Sequence, residues 1–416
     1  MADILFHISL TVIWIMLLYH MFLAQGGYRH FKRFEKVIPD WQHKMENMDL
    51  PTVNVFIPAH NEDVVIKQTL TAMSRLEYPK DKLKVILICD NCSDQTKEIG
   101  DQFAADFPFM KVIETEDEYK GKGKSSALNY ALKETNGEFI VVYDADNTPQ
   151  RKALWYLVMG LVNDPRAAAM VGKFRVINAK NTWLTKFINI ETICFQWMAQ
   201  AGRFHWFKIA TIPGTNFAIR RSIMEKLGGW DTKALAEDTE LTIRVYNLGY
   251  HIRFFPAAIT WEQEPETLKV WWKQRTRWAR GNQYVVLKFI GRIFSMKQKK
   301  IAFDIMYFFF TYFLFFFGVI LSNVLFVVNL IFDIQLSIGN VAFVLWIMAF
   351  LLFVTEIMIT LSIEKNQLTL KNMLYIIFMY FTYSQMWIVL VIYALTLEVK
   401  RMIKKEDQVW YKTERF

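Results

Sequence analysis

Apolar residues run almost unbroken at the two ends of this chain and alternate with polar ones between them. Residues Ile4 to Leu23 form the first run, and about 20 apolar residues suffice to cross a bilayer as a helix. The run has no charged leading segment and no small-residue cleavage site, so it reads as a retained span and not as a cleaved signal peptide. Three further runs, Ile305–Ile331, Val341–Ile363 and Met373–Leu395, follow Lys300 and are separated by the polar turns Gln335–Asn340 and Glu364–Asn372.

Between the ends, Val53 to Asn147 alternates short apolar runs with amphipathic stretches, the pattern of βαβ units around a parallel sheet. Asn54–Pro58, Lys84–Cys89, Met110–Ile113 and Phe139–Tyr143 are the predicted strands. Three of them end in polar groups: His60-Asn61-Glu62, Asp90-Asn91 and Asp144-Ala145-Asp146. Ligands of open α/β sheets bind beyond the carboxyl ends of strands, so these ends describe one pocket. From Pro165 to Pro256 the pattern is mixed, with strand-like Ala168–Val176 and Ile209–Arg220 and a helix over Glu237–Leu248 stopped by Gly249. Trp183–Trp206, rich in Trp, Phe and Met, fits an amphipathic helix on the bilayer face and fits a core helix equally well. A helix over Thr267–Gln283 would set Trp271, Gln274 and Trp278 on one face with Arg277 alongside.

A chain of 416 residues can bury a full catalytic core and keep residues for another region. The formal net charge of +9 does not point to nucleic acid. Its excess sits beside the apolar runs, at Arg292, Lys297, Lys299 and Lys300 and in the tail at Lys400, Arg401, Lys404 and Lys405, where anionic lipid is the expected partner. Arg29, Lys32, Arg33 and Lys36 place the following domain in the cytoplasm by the positive-inside rule, with the N-terminus outward. The same rule conflicts with three simple C-terminal crossings, which would put the basic tail outside. The three cysteines suit a reducing compartment. Cys89 and Cys92 have no two further ligands nearby to make a zinc site, so they read as packing residues flanking Asp90.

Asp144 and Asp146, one residue apart after an apolar strand, can bind Mg²⁺ or Mn²⁺ and leave coordination sites for a diphosphate. Asp238 is the candidate general base, since sugar transfer with inversion needs one carboxylate to take the acceptor's proton. Taken locally, Glu237, Asp238 and Glu240 are better explained as complements to a helix N-terminus. Arg277 can neutralise a leaving diphosphate, Gln274 can bond a sugar and the Trp278 ring can stack on one, although Trp and Arg also anchor interfacial helices. Gly121-Lys122-Gly123-Lys124 lacks the spacing of a phosphate loop, but a lysine at a helix start can meet a nucleotide phosphate.

Together these motifs, in this order from about Asn54 to Trp278, resemble the processive family 2 glycosyltransferases, the inverting group of cellulose, mixed-linkage glucan, hyaluronan, chitin and poly-N-acetylglucosamine synthases. The resemblance implies an α/β fold, a Rossmann-like GT-A domain inserted between transmembrane helices. The chain then divides into an N-terminal transmembrane helix (1–25), a cytoplasmic GT-A domain with interfacial helices (26–300), C-terminal transmembrane helices (301–398) and a basic cytoplasmic tail (399–416). By the same resemblance Ala59 and Glu62, within Pro58–Glu62, and Asp90 hold the uridine, and Lys124 sits near the nucleotide. Asp144 and Asp146 serve the diphosphate and metal, with Arg277 over the diphosphate. Asp238 is the base, in an element that has Ala236 where the family has Thr. Gly214 and Thr215, within Pro213–Phe217, line the acceptor end with Glu237, Gln274 and Trp278. Trp410, Lys412 and Arg415 resemble a gating loop that closes over the nucleotide. The implied activity is polymerisation of a UDP-sugar, with UDP-glucose the first choice of donor, and extrusion of a β-glucan across the plasma membrane. A poly-N-acetylglucosamine or hyaluronan-type synthase, a non-processive lipid glycosyltransferase and a non-catalytic transporter or receptor are the alternatives.

Overall fold

The computed structural model describes residues 2–37, 49–296, 298–332 and 339–404. Its centre is an eight-stranded mixed sheet in the order β3-β2-β1-β4-β7-β6-β8-β5. The strands are β1 (Val53–Ala59), β2 (Leu83–Cys89), β3 (Met110–Glu114), β4 (Phe139–Val142), β5 (Thr148–Pro149), β6 (Ala167–Val176), β7 (Phe217–Arg220) and β8 (His251–Glu262). β1 to β4 are parallel, β7 runs antiparallel to both β4 and β6, and β8 lies parallel to β6.

The parallel strands are apolar at nearly every position because both faces of the sheet are covered. Phe56, Ile140 and Val142 face one core, with Ala127, Leu128 and Ala131 of the Lys124–Lys133 helix. Val55, Ile57 and Val141 face the other, with Ile66 and Leu70 of the Asp63–Ser74 helix and Leu154 and Leu157 of the Ala153–Val162 helix. Strand order turns back between β1 and β4. The polar residues after β1, β2 and β4 therefore gather at one sheet edge, at the kind of switch point where such sheets bind ligands.

Two expectations need correction. Of Ile209–Arg220 only Phe217–Arg220 pairs as a strand. The backbone amides of Ala210, Thr211 and Ile212 donate instead to the side chains of Tyr246, Gln200 and Thr242 at 3.0, 2.9 and 2.9 Å. Gly214 (φ +81°) and Asn216 (φ +49°) then take conformations no strand tolerates. Conversely, β8 was not foreseen, because Pro256 interrupts its pattern. The sheet absorbs the proline in a bulge, as pairing passes from Val171 opposite Phe254 to Lys173 opposite Ile259.

The Trp183–Trp206 stretch is helical and buries one face in the core. It runs as Trp183–Cys194, a π-helical stretch Phe195–Gly202 and Arg203–Phe207, and it buries Leu184, Phe187, Ile188 and Trp197. Against it lies the N-terminal helix Ala2–Phe34. The crossing is close enough that a β-carbon on Gly27 would sit 2.0 Å from the Trp197 carbonyl oxygen, and one on Gly202 would sit 2.2 Å from that of Leu23.

Among the described residues, four helices are long and apolar enough to cross a membrane: Ile4–Phe34, Lys299–Leu325, Phe343–Ile363 and Leu370–Lys404. They mark a membrane protein. The last is two segments, Leu370–Phe381 and Tyr383–Lys404, which break at Thr382 (φ −123°, ψ −78°). The sheet is tied to this bundle at Glu364, which accepts from Lys173, from Arg175 at 2.5 Å and from Trp197 at 2.9 Å.

Candidate active site

β1 and β2 end in register, Ala59 opposite Cys89, and their following loops are stitched together. The Ala59 carbonyl accepts from the Asp90 amide at 2.8 Å. Asn61, at φ +55°, accepts from the Ser93 amide at 2.7 Å, and the Glu62 amide donates to Thr96 Oγ1 at 2.7 Å. Asp90 is buried, and both of its oxygens serve the loop ahead of Lys124. Oδ1 accepts from Thr115 Oγ1 (2.7 Å) and the Gly121 amide (2.6 Å), and Oδ2 accepts from the Gly123 amide (3.1 Å). The carboxylate thereby shapes the loop that delivers Lys124.

Lys124 opens its helix after Gly123, whose φ of +86° only glycine adopts without strain. Its ammonium donates to Asp144 Oδ1 at 2.6 Å and to the Gly214 carbonyl at 2.9 Å, and it lies 3.6 Å from Glu237 Oε1. Burial opposes its charge, but Asp144, Glu237 and Asp238 outweigh that cost and hold its pKa above the ordinary lysine value. Thr215 fixes the facing segment, accepting from the Asp144 amide at 3.0 Å and donating to Asn147 Oδ1 at 2.5 Å.

Asp238 sits in the first turn of the Glu237–Asn247 helix. Its Oδ1 accepts from the Thr239 amide at 2.7 Å. A β-carbon on Gly214 would lie 3.1 Å from its Oδ2, so this backbone passes against the carboxylate. Burial, and after it the charge of Glu237, push the Asp238 pKa up to about 7, against the Thr239 amide, Lys124 and Arg277. A carboxylate poised there can accept a proton at neutral pH.

Asp146 Oδ2 accepts from the Gln263 amide at 3.3 Å, just past β8. The next residue, Glu264, lies 3.5 Å from Arg275. The Leu268–Ile290 helix, capped by Thr267, carries the Gln274–Trp278 segment. Gln274 is buried and accepts from Arg275 at 2.5 Å, and Trp278 is 38% exposed with Arg275 stacked on its ring. Of the expected site residues, Lys124, Asp144, Gly214, Thr215, Glu237 and Asp238 thus form one contact cluster, with Arg277 close enough for its charge to act on Asp238. Asp146, Gln274 and Trp278 adjoin it through Gln263, Glu264 and Arg275. Ala59, Glu62 and Asp90 lie at the same sheet edge. Trp410, Lys412 and Arg415 lie outside the described residues. Arg275 was visible in sequence within its pentad, but Asn147, Glu191 and Glu264 carried no local signal.

Among the described residues no group of three or more His, Cys, Asp or Glu side chains converges as a metal centre. The pair Asp144 and Asp146 still suits a Mg²⁺ or Mn²⁺ ion, which is commonly held by one or two carboxylates and completed by substrate phosphates and water.

Residues 51–281 match the family model described as "Glycosyltransferase like family 2". The chain is 66% identical over 416 residues to the "Probable glycosyltransferase YdaM" of Bacillus subtilis (strain 168), covering 100% of this chain and 99% of that protein. It is 28% identical over 302 residues to a poly-beta-1,6-N-acetyl-D-glucosamine synthase of Staphylococcus epidermidis, covering 72% of this chain and 69% of that one. Among solved structures, the mannosyltransferase PcManGT from Pyrobaculum calidifontis, in complex with GDP-Man and Mn²⁺, superposes with a TM-score of 0.59 at 21% identity, over 97% of this chain and 100% of that one. This last likeness is one of fold.

Proposed function

The chain belongs to the family 2-like glycosyltransferases, and on that footing we propose that it is a membrane-embedded synthase that transfers sugar from a UDP-sugar, with inversion, to the end of a growing β-glycan. In this reading the catalytic domain faces the cytoplasm and the product passes outward through the plasma membrane. Asp238 takes the proton of the acceptor hydroxyl as its oxygen bonds to the anomeric carbon, and the bond from that carbon to the diphosphate oxygen breaks to release UDP. Lys124 and Arg277 neutralise the charge left on the diphosphate. Asp144 and Asp146 would hold Mg²⁺ or Mn²⁺, which when bound offsets further diphosphate charge. Gly214 and Thr215 border the acceptor beside Asp238, and Trp278 offers its ring to a sugar face.

The donor we put first is UDP-N-acetylglucosamine. Nothing in the sequence demands an N-acetyl pocket, which favours glucose, but the name carried by the 28%-identical Staphylococcus epidermidis relative outweighs that argument.

The observation that carries the reading is Asp238 itself, a buried carboxylate set against Gly214, its pKa pushed up to about 7 while the charges of Lys124 and Arg277 act on it. Purified full-length protein, given each labelled UDP-sugar in turn, is expected to yield high-mass material with UDP-N-acetylglucosamine, sensitive to a β-1,6-N-acetylglucosaminidase. Asp238→Asn should abolish UDP release and retain donor binding. A single lipid-linked sugar as product would replace polymerisation with one-step lipid glycosylation, and an active Asp238→Asn would remove the base.

A further inference from the structure

Arg275 has no part in the chemistry above, yet it is 1% exposed, and a guanidinium is kept in such a place only by partners. Its Nη2 lies 2.8 Å from Glu191 and 3.5 Å from Glu264, and its Nη1 donates to Gln274 Oε1 at 2.5 Å. Its Cζ lies over the Trp278 ring, 4.0 Å from the centroid. Glu264 is fixed in turn, because Asn178 donates to its carbonyl at 2.8 Å and accepts from its amide at 3.0 Å.

Glu191 is a junction of three elements. It stands on the Trp183–Cys194 helix, holds Arg275, and accepts from Tyr383 Oη at 2.9 Å and Trp387 Nε1 at 2.8 Å on the last apolar helix. An unbroken series of charge-assisted bonds therefore runs from that helix to the one aromatic ring of the Gln274–Trp278 segment. Arg275 lies against the Trp278 ring, and Trp278 keeps 38% of its surface exposed.

We infer that Arg275 is a positioning residue for the acceptor. It stacks on one side of Trp278 so that the other side meets the sugar, and Glu191 is the joint through which the last apolar helix fixes Arg275. The inference rests on the reading of Trp278 as an acceptor platform. Loss of either partner should loosen the acceptor and leave the donor site, built on Lys124 and Asp144, as it is.

The test is steady-state UDP release by the full-length protein in detergent, with UDP-N-acetylglucosamine and N-acetylglucosamine oligomers varied separately, together with product length. Arg275→Lys keeps a cation for Glu191 but has no planar face for Trp278. Glu191→Gln removes the charge that Arg275 pairs with and still offers an acceptor oxygen to Tyr383 or Trp387, so it serves if the lysine variant fails to assemble. Both are expected to raise the acceptor KM about tenfold, the size of a lost desolvated cation–π contact, to leave the donor KM unchanged and to shorten the product. Trp278→Ala should give the same pattern. If Trp278→Ala raises the acceptor KM while Arg275→Lys and Glu191→Gln lower only kcat, Arg275 supports the fold and the inference is overturned. If Trp278→Ala itself leaves the acceptor KM and product length intact, the acceptor-platform reading falls, and the inference with it.

Discussion

Replacing Lys124 by glutamine should move the acid limb of the reaction upward in pH. If Asp238 must be ionised to act, UDP release falls about tenfold per pH unit below its pKa, and with burial pushing that pKa up to about 7, the wild-type limb is expected near pH 7. Lys124 is one of the charges that keep the value from rising further. The ammonium and the Asp238 carboxylate both lie within 3.6 Å of the position a Gly214 β-carbon would take, so they are no more than about 7 Å apart. At an effective dielectric constant near 20, a unit charge at that distance stabilises the carboxylate by about 2 kcal/mol, or roughly one to two pKa units. The sign is fixed: removing a cation disfavours the anion, so the Lys124→Gln limb is expected near pH 8 to 9. Glu237→Gln removes a like charge and should move the limb below pH 7. The assay is kcat/KM for the donor between pH 5.5 and 9.5, since that ratio reports the free enzyme. Lys124→Gln will also lower the rate at every pH, by weakening the hold on the diphosphate, but the position of a limb does not depend on its height. A limb that stays at pH 7, or moves the same way in both variants, would refute Asp238 as the titrating base.

Three further outcomes can be measured directly. Glu364→Gln should destabilise the protein by about 3–5 kcal/mol, seen as a lowered thermal midpoint in detergent, because it leaves Lys173, which is 5% exposed, with a charge and no counter-ion. The paired change Lys173→Met with Glu364→Gln, which removes the buried lysine charge and keeps an acceptor oxygen for Arg175 and Trp197, should cost less. Gly27→Ala forces a β-carbon onto the Trp197 carbonyl and should cost about 1–3 kcal/mol by prying the two helices apart, again read as a lower midpoint. Gly214→Ala puts a β-carbon 3.1 Å from Asp238 at a φ of +81°; with about 1–2 kcal/mol of backbone strain, UDP release should fall about tenfold while UDP binding by calorimetry persists.

The parallel half of the sheet was legible because burial on both faces writes itself as uninterrupted apolar runs. Phe139-Ile140-Val141-Val142 can hardly be anything but a central strand. The apolar Ile209–Ile212 run misled for a related reason. It is buried as a strand would be, but its amides are satisfied by Tyr246, Gln200 and Thr242, side chains whose arrival depends on the finished fold. β8 was hidden by Pro256, whose cost a bulge absorbs. At the site, the acidic residues could be picked out singly but not joined. Locally Asp238 reads better as a helix-start acid, and only the fold brings Gly214 and Lys124 against it. Arg275 lay in plain view, while Glu191, 84 residues away, carried nothing locally to connect them.

The departure at Ala236, where the family has threonine, shows how the site is oriented without that hydroxyl. Asp238 takes its direction from residues after it: the Thr239 amide bonds Oδ1, and Thr242 Oγ1 donates to the Asp238 carbonyl at 2.8 Å and to no other acceptor described. Ala236 is free to serve packing. A β-carbon on Gly281 would stand 2.8 Å from the Ala236 β-carbon and 2.9 Å from its backbone nitrogen, so the start of the Asp238 helix and the Leu268–Ile290 helix touch backbone to backbone. Gly281 is four residues beyond Arg277, about one turn along the same face. The close contact therefore sets the turn that carries Arg277 to where its charge reaches the Asp238 carboxylate. A small residue on each side of that crossing is what lets the base and the cation opposite it share one site.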